Sequence, residues 1–118
     1  MNIIIGEENV RNLDGRYLVL ELDSFRIAGI SDPIRSYALI DSLTFSDLFQ
    51  VDEDRKLHED LLENYRSKNW EFCEVAIDQL MGKWKGDLDS FYDNLLSRLK
   101  DLKSSGVNDS WDGSVIKT

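Results

Sequence analysis

Apolar side chains recur at three- and four-residue spacing from Leu57 to Leu102, broken only by two short connections. That period places one apolar stripe on each helix it describes, so the stretch predicts three helices sharing one core. The first, about Glu53 to Ser67, carries Leu57, Leu61, Leu62 and Tyr65, with Asp52 placed to cap it. Lys68-Asn69 breaks the pattern, and Asn69 is placed to cap a second helix from Trp70 to about Met81. Its inner positions are Trp70, Cys73, Ala76, Ile77 and Leu80. Gly82 and Gly86 bracket a connection, and Asp87 is the expected cap of the third helix. Leu88, Phe91, Tyr92, Leu95, Leu99 and Leu102 form its inner face, and Gly106 is its expected stop. Upstream, Ser42 to Gln50 reads as a short separate helix capped by Thr44, with Asp47 in its first turn.

The first forty residues have a different period. Asn2 to Gly6 is a short apolar run, a candidate strand, and Glu7 to Leu13 has room for one or two helical turns before the turn signal Asp14-Gly15. Arg16 to Ile27 is the clearest strand, with Tyr17, Val19, Phe25 and Ile27 expected on one face and Leu18, Leu20 and Leu22 on the other. Ala28 to Pro33 carries the turn, and Ile34 to Ile40 returns as the antiparallel partner. The expected fold is therefore α+β: a hairpin and a short first strand, covered on one face by three helices. It reads as a single domain over 1–118, with a β-rich part at 1–41, a helical part at 42–104 and a polar tail at 105–118. The first two long helices, with Tyr65 and Trp70 five apart across a short turn, resemble one tetratricopeptide-type hairpin. A single such unit does not make a stacked array.

Composition narrows the function. The 118 residues carry a formal net charge of -9, which repels phosphate backbones and disfavours nucleic acid and anionic membranes as partners. No apolar stretch approaches the roughly 20 residues needed to span a bilayer. One cysteine excludes an internal disulfide, and the start lacks the pattern of a secretory signal, so a cytoplasmic location is expected.

The residues able to do chemistry are few. His58 is the only histidine, and Cys73 is its only soft companion, too few for a zinc site. A solvent-facing or helix-packing role is expected for His58, and its removal is expected to be nearly neutral. Cys73 reads as a small core residue. Asp52, Glu53 and Asp54, like Asp87 and Asp89, are explained by helix capping and dipole terms. Gly82 to Gly86 lacks P-loop spacing and reads as an aromatic linker with solvated lysines. Trp111, the one aromatic residue of the tail, is expected to fold back onto the body, the alternative being contact with a partner.

Three segments and an ending, in order, resemble the C-terminal end of bacterial class III adenylate/guanylate cyclases. Ile3 to Val10 looks like the strand and short helix near the end of that catalytic domain. Leu20 to Ile40, with Leu22-Asp23, Arg26-Ile27, Gly29, Pro33 and Tyr37-Ala38-Leu39, looks like its closing hairpin. His58 through Leu99 is similar to the helical extension that follows, and Trp111-Asp112-Gly113 to its ending. The resemblance also shows what is missing. The metal-binding aspartates and the transition-state asparagine and arginine belong to earlier strands, and the nucleotide-reading lysine would match Ala28. Without those carboxylates no magnesium pair neutralises a triphosphate. The resemblance implies ancestry and shape rather than activity. The chain also resembles short proteins of marine phages, a likeness that no single motif carries.

These readings converge on a non-catalytic protein-protein interaction module, self-associating as a homodimer or binding a protein partner, with no cofactor or metal. The candidate interface is Tyr17, Val19, Phe25, Ile27 and Trp111. The alternative is a nucleotide-responsive regulator with a vestigial cyclase pocket; an enzyme is the least favoured class.

Overall fold

A computed structural model describes residues 2–11, 17–27, 32–41, 47–106, 111 and 113–117. The fold is α+β, an antiparallel hairpin followed by helices packed against each other. Contacts divide it into a sheet unit, residues 1–48 with 113–118, and a helical unit, residues 49–112.

Among the described residues the sheet unit has four strands in the order β1-β3-β2-β4, where β1 is Asn2–Ile5, β2 Tyr17–Ile27, β3 Ile34–Asp41 and β4 Ser114–Lys117. β1 and β2 both run antiparallel to β3, and β4 runs parallel to β2. Gly6, at φ +90, turns the chain from β1 into the five-residue helix α1, Glu7–Arg11. The fourth strand corrects the expectation of a polar tail. Ser114 to Lys117 pair with Ser24 to Ile27, so the end of the chain closes one edge of the sheet.

β2 and β3 alternate as their sequence predicts, with Leu20 and Leu22 buried on one and Ser36, Ala38 and Ile40 on the other. The alternation does not run the full length of β2. Its register on β3 shifts between Glu21 and Ser24, a β-bulge. The Ser36 hydroxyl accepts from the Asp23 N–H at 3.1 Å and lies 3.4 Å from the Asp23 carbonyl, to which it donates. A buried serine thus partners the backbone that the bulge removes from the ladder. The shift has a consequence for the faces. Val19 lies opposite Leu39, while Phe25 lies opposite Ile34, an even-numbered neighbour of Ala38. A one-residue slip moves a side chain to the other face, so Phe25 shares a face with Leu20 and not with Val19.

The helical unit contains α2, Leu48–Arg66, α3, Trp70–Leu80, and α4, Asp89–Ser105. Leu61, Ile77, Leu80, Leu88, Leu95 and Leu99 are at most 1% exposed, so the stripes read from the sequence meet in one core. The helix starts differ from expectation. Leu48 to Gln50 form the first turn of α2 itself, so Asp52 to Asp54 lie inside that helix and do not cap it. Thr44, the expected cap, lies outside the described residues. The Asn69 side chain makes no capping bond to α3; its amide donates to Asn64 Oδ1 at 3.0 Å. α4 starts at Asp89 rather than after Asp87, and the Asp89 carboxylate reaches back to accept from the Gly82 N–H at 2.8 Å. Gly106 ends α4 as expected, at φ +78 with its N–H on the Leu102 carbonyl.

Candidate functional site

The residue types most able to do chemistry lie together inside the helical unit. His58 on α2 is 0% exposed, and its Nδ1 is 2.8 Å from the hydroxyl of Tyr92 on α4. Trp84, in the connection between α3 and α4, donates its indole N–H to the same hydroxyl at 2.9 Å. The imidazole also packs against the rings of Phe91 and Tyr92. Burial pushes the Tyr92 hydroxyl far above the ordinary tyrosine range, because ionising it there would strand a charge. The negative charges of Asp54 and Asp89 act in the same direction, while the bond from Trp84 opposes them. The three side chains form a polar spine through an apolar core. This corrects the expectation that His58 is an exposed, nearly neutral position, while the helix-packing role and the solvated lysines of the aromatic linker Gly82 to Gly86 stand as expected. Lys83 and Lys85 are exposed, but Trp84 is buried.

A groove of about 330 Å³ lies on the same unit, lined by Gln50, Glu53, Asp54, Leu57, Gln79 and Lys83. Asp54 is buried and accepts from the Gln50 side chain at 3.0 Å. Its neighbour Asp52 is paired with Arg55 and Lys56; the hydrogen bond from Arg55 holds its carboxyl below the usual range. Asp52 and Asp54 are therefore engaged in salt bridges and an amide hydrogen bond on their own helix.

Cys73 is 0% exposed, and its thiol points at the Leu61 carbonyl, 3.7 Å away. Burial pushes it up to about 11, so the thiolate a nucleophile needs is scarce at neutral pH. Among the described residues, no three His, Cys, Asp or Glu side chains come together in a way that could hold a metal ion. No described helix is long and apolar enough to cross a membrane.

The expected interface residues are not brought together on one sheet face. Tyr17 and Val19 are half-buried and lie on one side; Phe25, also half-buried, lies on the other. The backbone of Ile27 pairs with Lys117, and its side chain lies outside the described ones, as does the whole of Ala28. Trp111 belongs to the helical unit. Its ring meets Tyr65 and Trp70 edge-on, with centroids 5.4 and 6.1 Å away, and its N–H donates to the Tyr65 carbonyl at 3.3 Å. The fold-back expected of this tryptophan is present.

β1 is present over Asn2–Ile5, where the sequence predicts a short strand. It is an outer strand, and no second described strand pairs with it. Ile3 and Ile5 are 54% and 58% exposed, although they lie opposite Ala38 and Ser36, two of the buried residues of β3. Beside its end is an open cleft of about 610 Å³ reached by Ile5, Glu8, Asn9, Asp32 and Arg35. The signal was in the sequence. Asn2 to Ile5 contains no charge and no proline, the devices that normally protect a sheet edge.

Compared with protein-family models, with curated proteins and with solved structures, the chain matches none.

Proposed function

We propose that this protein is a non-catalytic interaction module that associates with a second copy of itself. One observation carries the reading: the uncharged outer strand β1 presents exposed Ile3 and Ile5 where natural sheets place charges, proline or a covering element. The interior supports the same reading. His58 and Cys73, the only histidine and cysteine, are sealed in the core, where both serve packing and hydrogen bonding.

The order of elements, strand and short helix, hairpin, then helices, is the order implied by the likeness to the C-terminal end of class III cyclases. We take that likeness as shared ancestry of the segment. Two catalytic domains pair in those enzymes, which favours association here. A two-fold dimer is the commonest solution for such a chain.

Light scattering after gel filtration at micromolar to high-micromolar protein tests the reading. A mass rising with concentration towards twice 13.7 kDa supports it. A single-chain mass throughout contradicts self-association.

A further inference from the structure

Resting on that reading, we infer that the two copies join β1 to β1, antiparallel, about a two-fold axis through Ile4. The hydrogen-bond phase of β1 carries the inference. In an antiparallel ladder, residue pairs alternate between those that exchange both backbone bonds and those that exchange none. The Gly6 N–H donates to the Arg35 carbonyl at 2.8 Å. Counting back along the register, Ile4 opposite Tyr37 and Asn2 opposite Leu39 are bonded pairs as well. Ile3 and Ile5 are therefore the unbonded pairs, with their N–H and C=O groups directed away from β3. A second observation agrees. The Ile5 carbonyl accepts from the Asn9 side chain at 2.7 Å, so it points outward, away from the sheet.

A two-fold axis through Ile4 sets Ile3 of one copy opposite Ile5 of the other, twice. Those are the residues whose outward N–H and C=O groups are in phase, so the pairing makes four interstrand hydrogen bonds. The Ile5 carbonyl keeps a second lone pair for its new donor beside Asn9. An axis between Ile3 and Ile4 would oppose outward groups to inward ones and make none of these bonds. An axis through Ile3 makes fewer within Asn2–Ile5. The side chains agree with the backbone. Ile3 and Ile5 lie on one face, so the chosen register gathers four exposed isoleucines into cross-strand pairs. That face is the one on which Ala38 and Ser36 are already buried, so the apolar layer continues across the joint. Each chain contributes only four residues, so the dimer is weak and must be sought at high protein concentration.

The test uses the full chain and two substitutions at Ile3. Ile3→Pro removes an outward N–H, while the bonds to β3 belong to Asn2, Ile4 and Gly6, and proline is tolerated on an edge strand in that position. Ile3→Lys adds the charge that edges normally carry. Each is expected to raise the dimer dissociation constant at least tenfold without lowering the melting temperature of dilute protein by more than a few degrees. Amide exchange on the unmodified chain gives an independent reading. Protection of the Ile3 and Ile5 amides should rise with concentration, while that of Ile4 and Gly6 should be present throughout. A doubled mass that persists in both variants, or that forms without protection of Ile3 and Ile5, overturns the β1 joint and leaves self-association standing on another surface. A single-chain mass at every concentration overturns both. Protection of these two amides only when another protein is added overturns the second copy as the occupant.

Discussion

The Tyr92 hydroxyl lies 2.8 Å from Nδ1 of His58. Trp84 can only donate, and it donates to the same oxygen. One oxygen thus meets both the Trp84 indole N–H and the His58 imidazole. Three separate pieces of the helical unit, the connection, α4 and α2, are held by hydrogen bonds that share the Tyr92 hydroxyl.

Removing that hydroxyl tests these bonds. Tyr92→Phe takes one bond from each of two buried neighbours and should cost about 1–3 kcal/mol in urea unfolding. In a double-mutant cycle with Trp84→Phe, the two losses should fall short of additivity by about 0.5 kcal/mol or more. His58→Ala should cost about 2–4 kcal/mol, since it removes both a buried ring and a bond. A loss under about 0.5 kcal/mol for His58→Ala would mean that the spine does not hold the core.

Lys68 ends α2 in the left-handed region, at φ 67. The Asn69 N–H donates to the Asn64 carbonyl at 2.9 Å, and the Lys68 N–H to that of Tyr65 at 3.3 Å, the bonds of a Schellman ending. Glycine usually occupies the place Lys68 holds. Lys68→Gly is expected to raise stability by about 0.5–1 kcal/mol, read from the urea midpoint, because it relieves the Cβ clash of that conformation. A loss of stability would mean that the lysine makes a compensating contact.

Cys73 gives a pH signature. Burial raises its pKa from 9.0 to about 11. A folded-state pKa above the unfolded one contributes stability that is complete below pH 9 and lost as pH rises through about 11. The loss is on the order of 2–3 kcal/mol. Cys73→Ala should remove the part of the alkaline decline that belongs to this thiol. In the native protein at neutral pH, a thiol reagent should react only at the rate of unfolding.

Helical spacing in the sequence leads directly to the core. Leu61, Ile77, Leu95 and Leu99 are buried where their three- and four-residue recurrence places them. Period alone could not distinguish His58 from the exposed polar residues around it, because its worth depends on Tyr92, 34 positions away. The bulge at Leu22 and Asp23 was similarly hidden. An alternating pattern is assumed continuous unless something breaks it, and the only sign of the break was two polar residues in mid-strand. That break is why Phe25 does not join Tyr17 and Val19 on one surface. β4 was missed because four residues after a glycine carry too little pattern to mark a strand, and its partner β2 lies some ninety residues earlier. That β1 is an outer strand among the described residues follows from strand order, of which the sequence displays only the lack of charge and proline in Asn2 to Ile5.

Nucleotides separate the interaction module from the nucleotide-responsive alternative. Ala28 stands where the cyclase likeness would need a lysine. Millimolar ATP, GTP or a cyclic nucleotide is expected to leave the melting temperature unchanged, in thermal melts with and without magnesium. A saturable rise would indicate binding to the folded state and favour the regulator.

Salt dependence of the molecular mass tests self-association most directly. Each copy carries a formal charge of -9, and the strand proposed to join them carries none. Repulsion between the copies is screened within about 10 Å at 0.1 M salt and more tightly above it, whereas an apolar joint is not weakened by salt. In sedimentation equilibrium over micromolar to high-micromolar protein, the average mass should rise above 13.7 kDa with concentration, and rise further between low salt and 0.5 M salt, a range of roughly 30 Å to under 8 Å in screening length. A mass of 13.7 kDa at every concentration and every salt would contradict the account.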